Sequence, residues 1–247
     1  MRRLIDLWPI VLLLLLWQAW VSASKFNSIV LVPPGAVLSD LLHSPGAYLS
    51  PALHTLAFAL GGLAIGMSAG VALALGAWFS AMLSGIATPL ALCLSSTPVV
   101  CLIPIIARIF GYDSRTELIA VAVMTFFPSF VFCGAGLNEP PAVARDVFLV
   151  LHASRRQTLR LLAFPAAVPA LAAALRVGAT FSVLVALLAE YLMQTGGLGA
   201  LFAVTMQQFH LARAIGASVI AMALSVMLFE AARAVEIRIA SLHRMGA

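Results

Sequence analysis

The sequence predicts an all-α polytopic membrane bundle of about six transmembrane helices, with both termini cytoplasmic. Three observations carry this. The 247 residues are 63% hydrophobic and only 9% charged, whereas a soluble domain carries about 25% charged residues. Too few polar side chains exist to cover a water-facing globule, so the surrounding solvent is lipid. The apolar residues also fall into long runs separated by short polar connections, and the arginines gather at the run ends.

The first span covers roughly Trp8 to Val21 after a basic start at Arg2 and Arg3. That pattern also fits a cleavable leader, with small residues around Ala23. Aromatic residues at both ends, Trp8 against Trp17 and Trp20, suit a retained span. The segment from Phe26 to Pro51 holds Pro33, Pro34, Gly35, Pro45 and Gly46 and reads as an external loop with a short amphipathic helix over Gly35 to His43. A second span runs from about Leu53 to Leu83. In it Gly62, Gly66 and Gly70 recur every fourth residue on one helix face, a spacing that lets two backbones approach closely in lipid.

The third span covers roughly Ile86 to Phe110 and the fourth roughly Glu117 to Leu137. Pro98 and Pro104 in the third, and Pro128 in the fourth, each remove a backbone hydrogen bond. Broken backbone at membrane depth is tolerated where it is buried in protein or lines a cavity. The polar run Ser95, Ser96 and Thr97 before Pro98 favours the cavity, with kinked packing helices as the alternative. A fifth span runs from about Ala166 to Met193, closed by Thr195-Gly-Gly-Leu-Gly199, and a sixth from about Ile215 to Ala234, its helix extending into the basic tail. The chain divides into a first span and external loop (1–51), core spans (52–213) and a last span with its tail (214–247), all one permeation domain.

Charge fixes orientation. Arg2, Arg3, Arg145, Arg155, Arg156, Arg160, Arg233, Arg238 and Arg244 fall on one side, against Lys25, Arg108, Arg115 and Arg213 on the other. An even number of spans requires the same arrangement. The net charge of +5 is spread over span ends rather than one basic patch, which argues against nucleic acid as a partner. Cys93, Cys101 and Cys133 lack the paired spacing of a metal or redox site and read as packing residues.

No phosphate-binding loop, nucleophile motif or metal-ligand spacing is present, so no cofactor is expected in this chain. An intramembrane enzyme needs convergent titratable groups, and Glu190, Arg176, Glu230 and His54 are scattered over three spans. Glu190, near the outer end of the fifth span, reads either as a functional acid facing a partner or cavity, or as a carboxylate snorkelling to the interface.

The polar stretch from Asn138 to Arg160 is the most informative. Asn138 or Glu139 begins a short helix over Ala142 to Leu151, with prolines in its first turn. The chain turns at His152-Ala153. Ser154 and Gln157 form a capping box for a second helix, Arg155 to about Ala163, ending near Phe164-Pro165. A connection of this length between two spans is an elbow built to meet something.

The run from Asp146 through His152-Ala153-Ser154 to Leu162-Ala-Phe-Pro165 and Pro169 resembles the cytoplasmic signature of binding-protein-dependent ABC importer permeases. The likeness extends to Leu31-Val-Pro-Pro-Gly-Ala-Val-Leu38, to Phe126-Phe-Pro128, and to Ala189-Glu190 with Gly196-Gly-Leu-Gly199, and is greatest for the aliphatic sulfonate, taurine and nitrate subgroup. The resemblance implies a type I importer permease in the inner (cytoplasmic) membrane. It implies a dimer with a second permease copy, a separate cytoplasmic ATPase that holds ATP and Mg, and an extracytoplasmic solute-binding protein. The elbow residues Arg145, Asp146, His152, Ala153, Ser154, Arg155, Arg156, Gln157 and Pro165 would seat in the ATPase. Ser95, Ser96, Thr97, Pro98, Pro128 and Glu190 are the pathway candidates. The cargo it implies is a small anion or organosulfur compound, with a pyrimidine vitamin precursor as the alternative. A secondary transporter driven by an ion gradient is the competing class, and it expects midplane titratable groups and an internal repeat. Asp146 for Glu, Phe148 for a small residue and His152 for glycine depart from the family pattern. They fit either co-adaptation with a partner ATPase or a degenerate copy.

Overall fold

The computed structural model describes residues 8–24 and 31–245, and within them every regular element is helical. Arg2, Arg3 and Lys25, and the side chain of Arg244, lie outside the described residues. In chain order the helices are α1 (Trp8–Ser24), α2 (Pro34–His43), α3 (Gly46–Phe79), α4 (Ala81–Ser96), α5 (Val99–Phe110), α6 (Ser114–Asn138), α7 (Ala142–Val150), α8 (Arg155–Thr158), α9 (Phe164–Met193), α10 (Gly197–Gln207) and α11 (Leu211–Met245). Among the described residues, four helical rods are long and apolar enough to cross a membrane: α3, α6, the continuous stretch 155–193 that contains α9, and α11. The pair α4 and α5 counts as a fifth span if its two bent halves are taken together. α1, at 17 residues, is a shorter apolar helix.

The core is the triple packing of α3, α6 and α9, and small residues create it. A side chain at Gly62 would collide with Val121, at Gly66 with the Ala122 carbonyl and Thr125, and at Gly70 with the Phe126 carbonyl and Ser129. The three glycines face α6 along one stripe, and the Thr125 hydroxyl donates across the contact to the Gly62 carbonyl at 3.2 Å. Lipid offers no hydrophobic drive between helices, so this close van der Waals contact holds them together. Gly136 does the same between α6 and α9, against Ala167 and Ala170. α11 runs antiparallel to α9, its first half packed near Tyr48 and Leu198 and its second half tied by Glu236 to Arg176 at 2.8 Å.

Several boundaries differ from the sequence reading. α3 begins at Gly46, so Pro51 lies inside it rather than in the external loop. The proline is only five residues into the helix and removes one hydrogen bond there. α3 ends at Phe79 and Leu83 already belongs to α4, because Ser80 adopts an extended conformation and its hydroxyl caps the Leu83 amide. The third span is two helices bent by 108°. α10, between the fifth and sixth spans, is an element the sequence reading did not include. The second elbow helix does not stop at Phe164-Pro165. A π turn over Leu159–Ala163 joins α8 to α9, and the looser turn accommodates a proline that cannot donate.

Candidate functional site

At one end of the bundle the chain between α6 and α9 forms the elbow. Asn138 is the last residue of α6 and Glu139 its C-cap, so neither caps α7, which starts after Pro141. α7 buries none of its residues. Val143, Val147, Leu149, Val150 and Leu151 are all exposed, as are Arg145 and Asp146. The helix ends in a Schellman motif: the Ala153 amide donates to Phe148 and the His152 amide to Leu149, both at 3.0 Å. That motif needs a left-handed residue, and His152 supplies it at φ 50°.

Ser154 then closes the capping box. Its hydroxyl accepts from the Gln157 amide at 3.3 Å, and its own amide donates to Gln157 Oε1 at 2.8 Å. Arg155 donates to the Phe79 carbonyl at 3.0 Å, which pins the elbow to the end of α3. Arg156 and Gln157 stay exposed beside it, and so does Pro165 at the start of α9.

The bend between α4 and α5 has a local cause. Pro98 cannot donate, so the Leu94 carbonyl takes the Thr97 amide instead, at 3.2 Å, and the three hydroxyls before the proline turn back onto their own helix. Ser95 and Ser96 donate to Leu92 at 2.8 and 3.0 Å, and Thr97 to Cys93 at 3.0 Å. A cavity of about 150 Å³ beside the bend is lined by Leu94, Ser95, Val123, Met124, Phe127, Pro128 and Phe181. The structure therefore brings Ser95 and Pro128 together, whereas Ser96, Thr97 and Pro98 lie outside that lining.

Glu190 lies elsewhere, at the far end of α9, and its side chain is fully buried. Its Oε2 accepts from the Gly199 amide at 2.8 Å and from the Thr55 hydroxyl at 3.0 Å. His54 Nδ1 stands 3.4 Å from its Oε1. The carboxylate is enclosed rather than snorkelling. Beside it is Glu117, also fully buried, held through Oε2 by the Thr195 hydroxyl at 3.3 Å. Two of the scattered titratable groups, His54 and Glu190, are thus one cluster. Arg176 and Glu230 are not in it: they pair with Glu236 and Arg233.

Sequence reasoning passed over Glu117 as a span boundary. A signal existed, since Asp113 already caps α6 by accepting from the Arg115 amide, which leaves a second acid in the first turn without a capping role.

At the same end, Arg213 grips Asp40 with two hydrogen bonds, at 3.0 and 3.2 Å, and the Tyr48 hydroxyl donates to the same carboxylate. The guanidinium holds the Asp40 carboxyl below its ordinary value of 3.8.

Residues 62–239 match the family described as "Binding-protein-dependent transport system inner membrane component". The chain belongs to this family. The permease is 26% identical over 80% of its length to a probable ABC transporter permease protein of Haemophilus influenzae, covering 81% of that protein. It is 26% identical to the formylaminopyrimidine transport permease protein ThiX of Halalkalibacterium halodurans, over 81% of this chain and 80% of the relative. A third relative is the riboflavin transport system permease protein RibX of Chloroflexus aurantiacus, 27% identical over 78% of this chain and 74% of its own. Among solved structures, chains of the inward-facing MetNI methionine ABC transporter superpose with TM-scores of 0.60 and 0.63 at 17% and 16% identity. Each covers 76% of the permease, which in turn covers 92% and 94% of them. The fold is that of an ABC importer permease subunit, and the chain is a multi-pass membrane protein.

Proposed function

We propose that this permease forms half of the solute pathway of an ATP-driven importer whose cargo is a small heteroaromatic compound of the pyrimidine or flavin precursor kind. The observation that carries the importer reading is the elbow. Five large apolar side chains stand exposed on α7 and the residue after it, on a segment whose backbone is closed by a Schellman motif and a capping box at its turn. A water-facing connector gains nothing from such a surface, whereas an anchor for a partner protein does. The partner is a cytoplasmic ATPase that binds ATP and Mg, this chain itself holding neither. Closure of two ATPase subunits would move the two elbows of a permease dimer and so switch the pathway. The elbow end faces the cytoplasm of an inner-membrane protein, and an extracytoplasmic solute-binding protein docks at the other end.

The cargo reading rests on the named relatives, two of which transport formylaminopyrimidine and riboflavin by their names. It replaces the sulfonate, taurine and nitrate class, which none of those names supports.

The test is affinity purification of the tagged chain from its native membrane in mild detergent, followed by reconstitution and uptake of labelled cargo. Recovery of a P-loop ATPase in near-equal amount, with ATP-dependent uptake competed by aminopyrimidines or flavins and not by taurine, supports both parts. Competition by taurine alone returns the cargo to the sulfonate class. Uptake driven by an ion gradient without an ATPase overturns the importer reading in favour of a secondary transporter.

A further inference from the structure

His54 on α3, Glu117 on α6 and Glu190 on α9 bring three ligand atoms within 4.8 Å of one another. The two carboxylates divide their oxygens in the same way. Each Oε2 is held by hydrogen-bond donors: Glu190 by Thr55 and Gly199, Glu117 by Thr195. Each Oε1 turns towards the His54 ring, and Glu117 Oε1, on a fully buried side chain, accepts from no donor among the described residues. Donors about 2.1 Å from a tetrahedral ion lie roughly 3.4 Å apart; the two separations from His54 Nδ1 are 3.4 Å to Glu190 Oε1 and 3.9 Å to Glu117 Oε1, and the two carboxylate oxygens lie within 4.8 Å of each other.

We propose that His54 Nδ1, Glu117 Oε1 and Glu190 Oε1 form a binding site for one divalent first-row metal ion such as zinc. The donor set of one imidazole and two carboxylates suits such an ion. Thr55, Thr195 and the Gly199 amide orient the carboxylates from behind, as groups around a metal site do. The ion balances both buried negative charges at once, which a single shared proton does not. His54, with 26% of its side chain exposed, marks the way in and leaves a coordination position for water. The ion would tie α3, α6 and α9 together at their outer ends and hold the start of α10 through the groups that orient its ligands. The inference is independent of which solute is carried.

The experiment uses the full-length chain in detergent, stripped with chelator, incubated with zinc alone, passed through gel filtration and assayed by elemental analysis and thermal melting. The expected result is one zinc per chain and a higher melting temperature than the stripped protein. Zinc content should fall at least about tenfold in Glu117→Gln and His54→Gln, with full retention in Glu230→Gln, whose acid is exposed far from the site. Cobalt in place of zinc should give the d–d absorption of a ligand set containing nitrogen, absent from His54→Gln. If Glu117→Gln does not fold, His54→Gln gives the same readout from a partly exposed position. Wild-type protein that retains no more zinc than the two variants, and melts identically with and without it, overturns the site and leaves the carboxylates sharing a proton.

Discussion

The elbow and the carboxylate cluster sit near opposite ends of α9, separated by about 39 Å along the helix at 1.5 Å per residue, and they are built on opposite principles. The elbow satisfies its backbone locally, through the Schellman motif at His152 and the Ser154–Gln157 box, and leaves its side chains outward. Arg155 reaches back, to Phe79. The cluster uses side chains from three helices and a turn, and little of it is exposed. A surface of the first kind can be rewritten without unfolding the bundle, whereas a site of the second kind is part of the packing. Coupling residues should therefore separate from stability residues by position along α9.

The largest effect is expected where packing is densest. Gly66→Leu places a side chain where the α6 backbone and Thr125 already stand. It should cost about 3 kcal/mol or more, seen as loss of monodisperse protein in gel filtration. The elbow should behave oppositely. Asp146→Lys combined with His152→Asp should leave the melting temperature within the range of ordinary surface changes, about 0.5 kcal/mol, while association with the partner ATPase drops below detection in co-purification. A melting shift as large as that of Gly66→Leu would erase the distinction between the two regions.

A smaller effect is expected at Arg213→Ala, which removes the grip on Asp40 and should cost about 1 kcal/mol. The folded Asp40 carboxyl titrates below its ordinary 3.8, so the pair contributes stability above that value and loses it as pH falls through the folded value. The difference between wild type and variant, measured by thermal melting, should be constant from pH 7 to about pH 5 and shrink below about pH 4. The smallest effect belongs to His152→Gly. Glycine adopts φ 50° without the Cβ penalty, and the variant should gain about 0.5–1 kcal/mol, with ATPase association retained. Lost association here would mean that the imidazole itself touches the partner.

The elbow was legible in the sequence because its determinants are local. Ser154 and Gln157 are three residues apart, and the turn needs one left-handed residue at a fixed place. What failed there was also instructive: Pro165 looked like a helix stop, yet a π turn carries the helix through it. At the bend, the sequence singled out Pro98 and the three hydroxyl residues before it. It did not say that the hydroxyls would turn back on their own helix.

The sequence by itself determined the class of the molecule, the positions of its long apolar helices and the elbow with its cap, because lipid burial and local hydrogen bonding are read residue by residue. Only the tertiary structure decided that His54, Glu117 and Glu190 meet. They are 63 and 73 positions apart along the chain, and only the packing of α3, α6 and α9 brings them together. The glycine stripe was visible in advance, but its consequence was not: by letting α3 and α6 pack closely, Gly62, Gly66 and Gly70 help fix the contact from which His54 reaches Glu117.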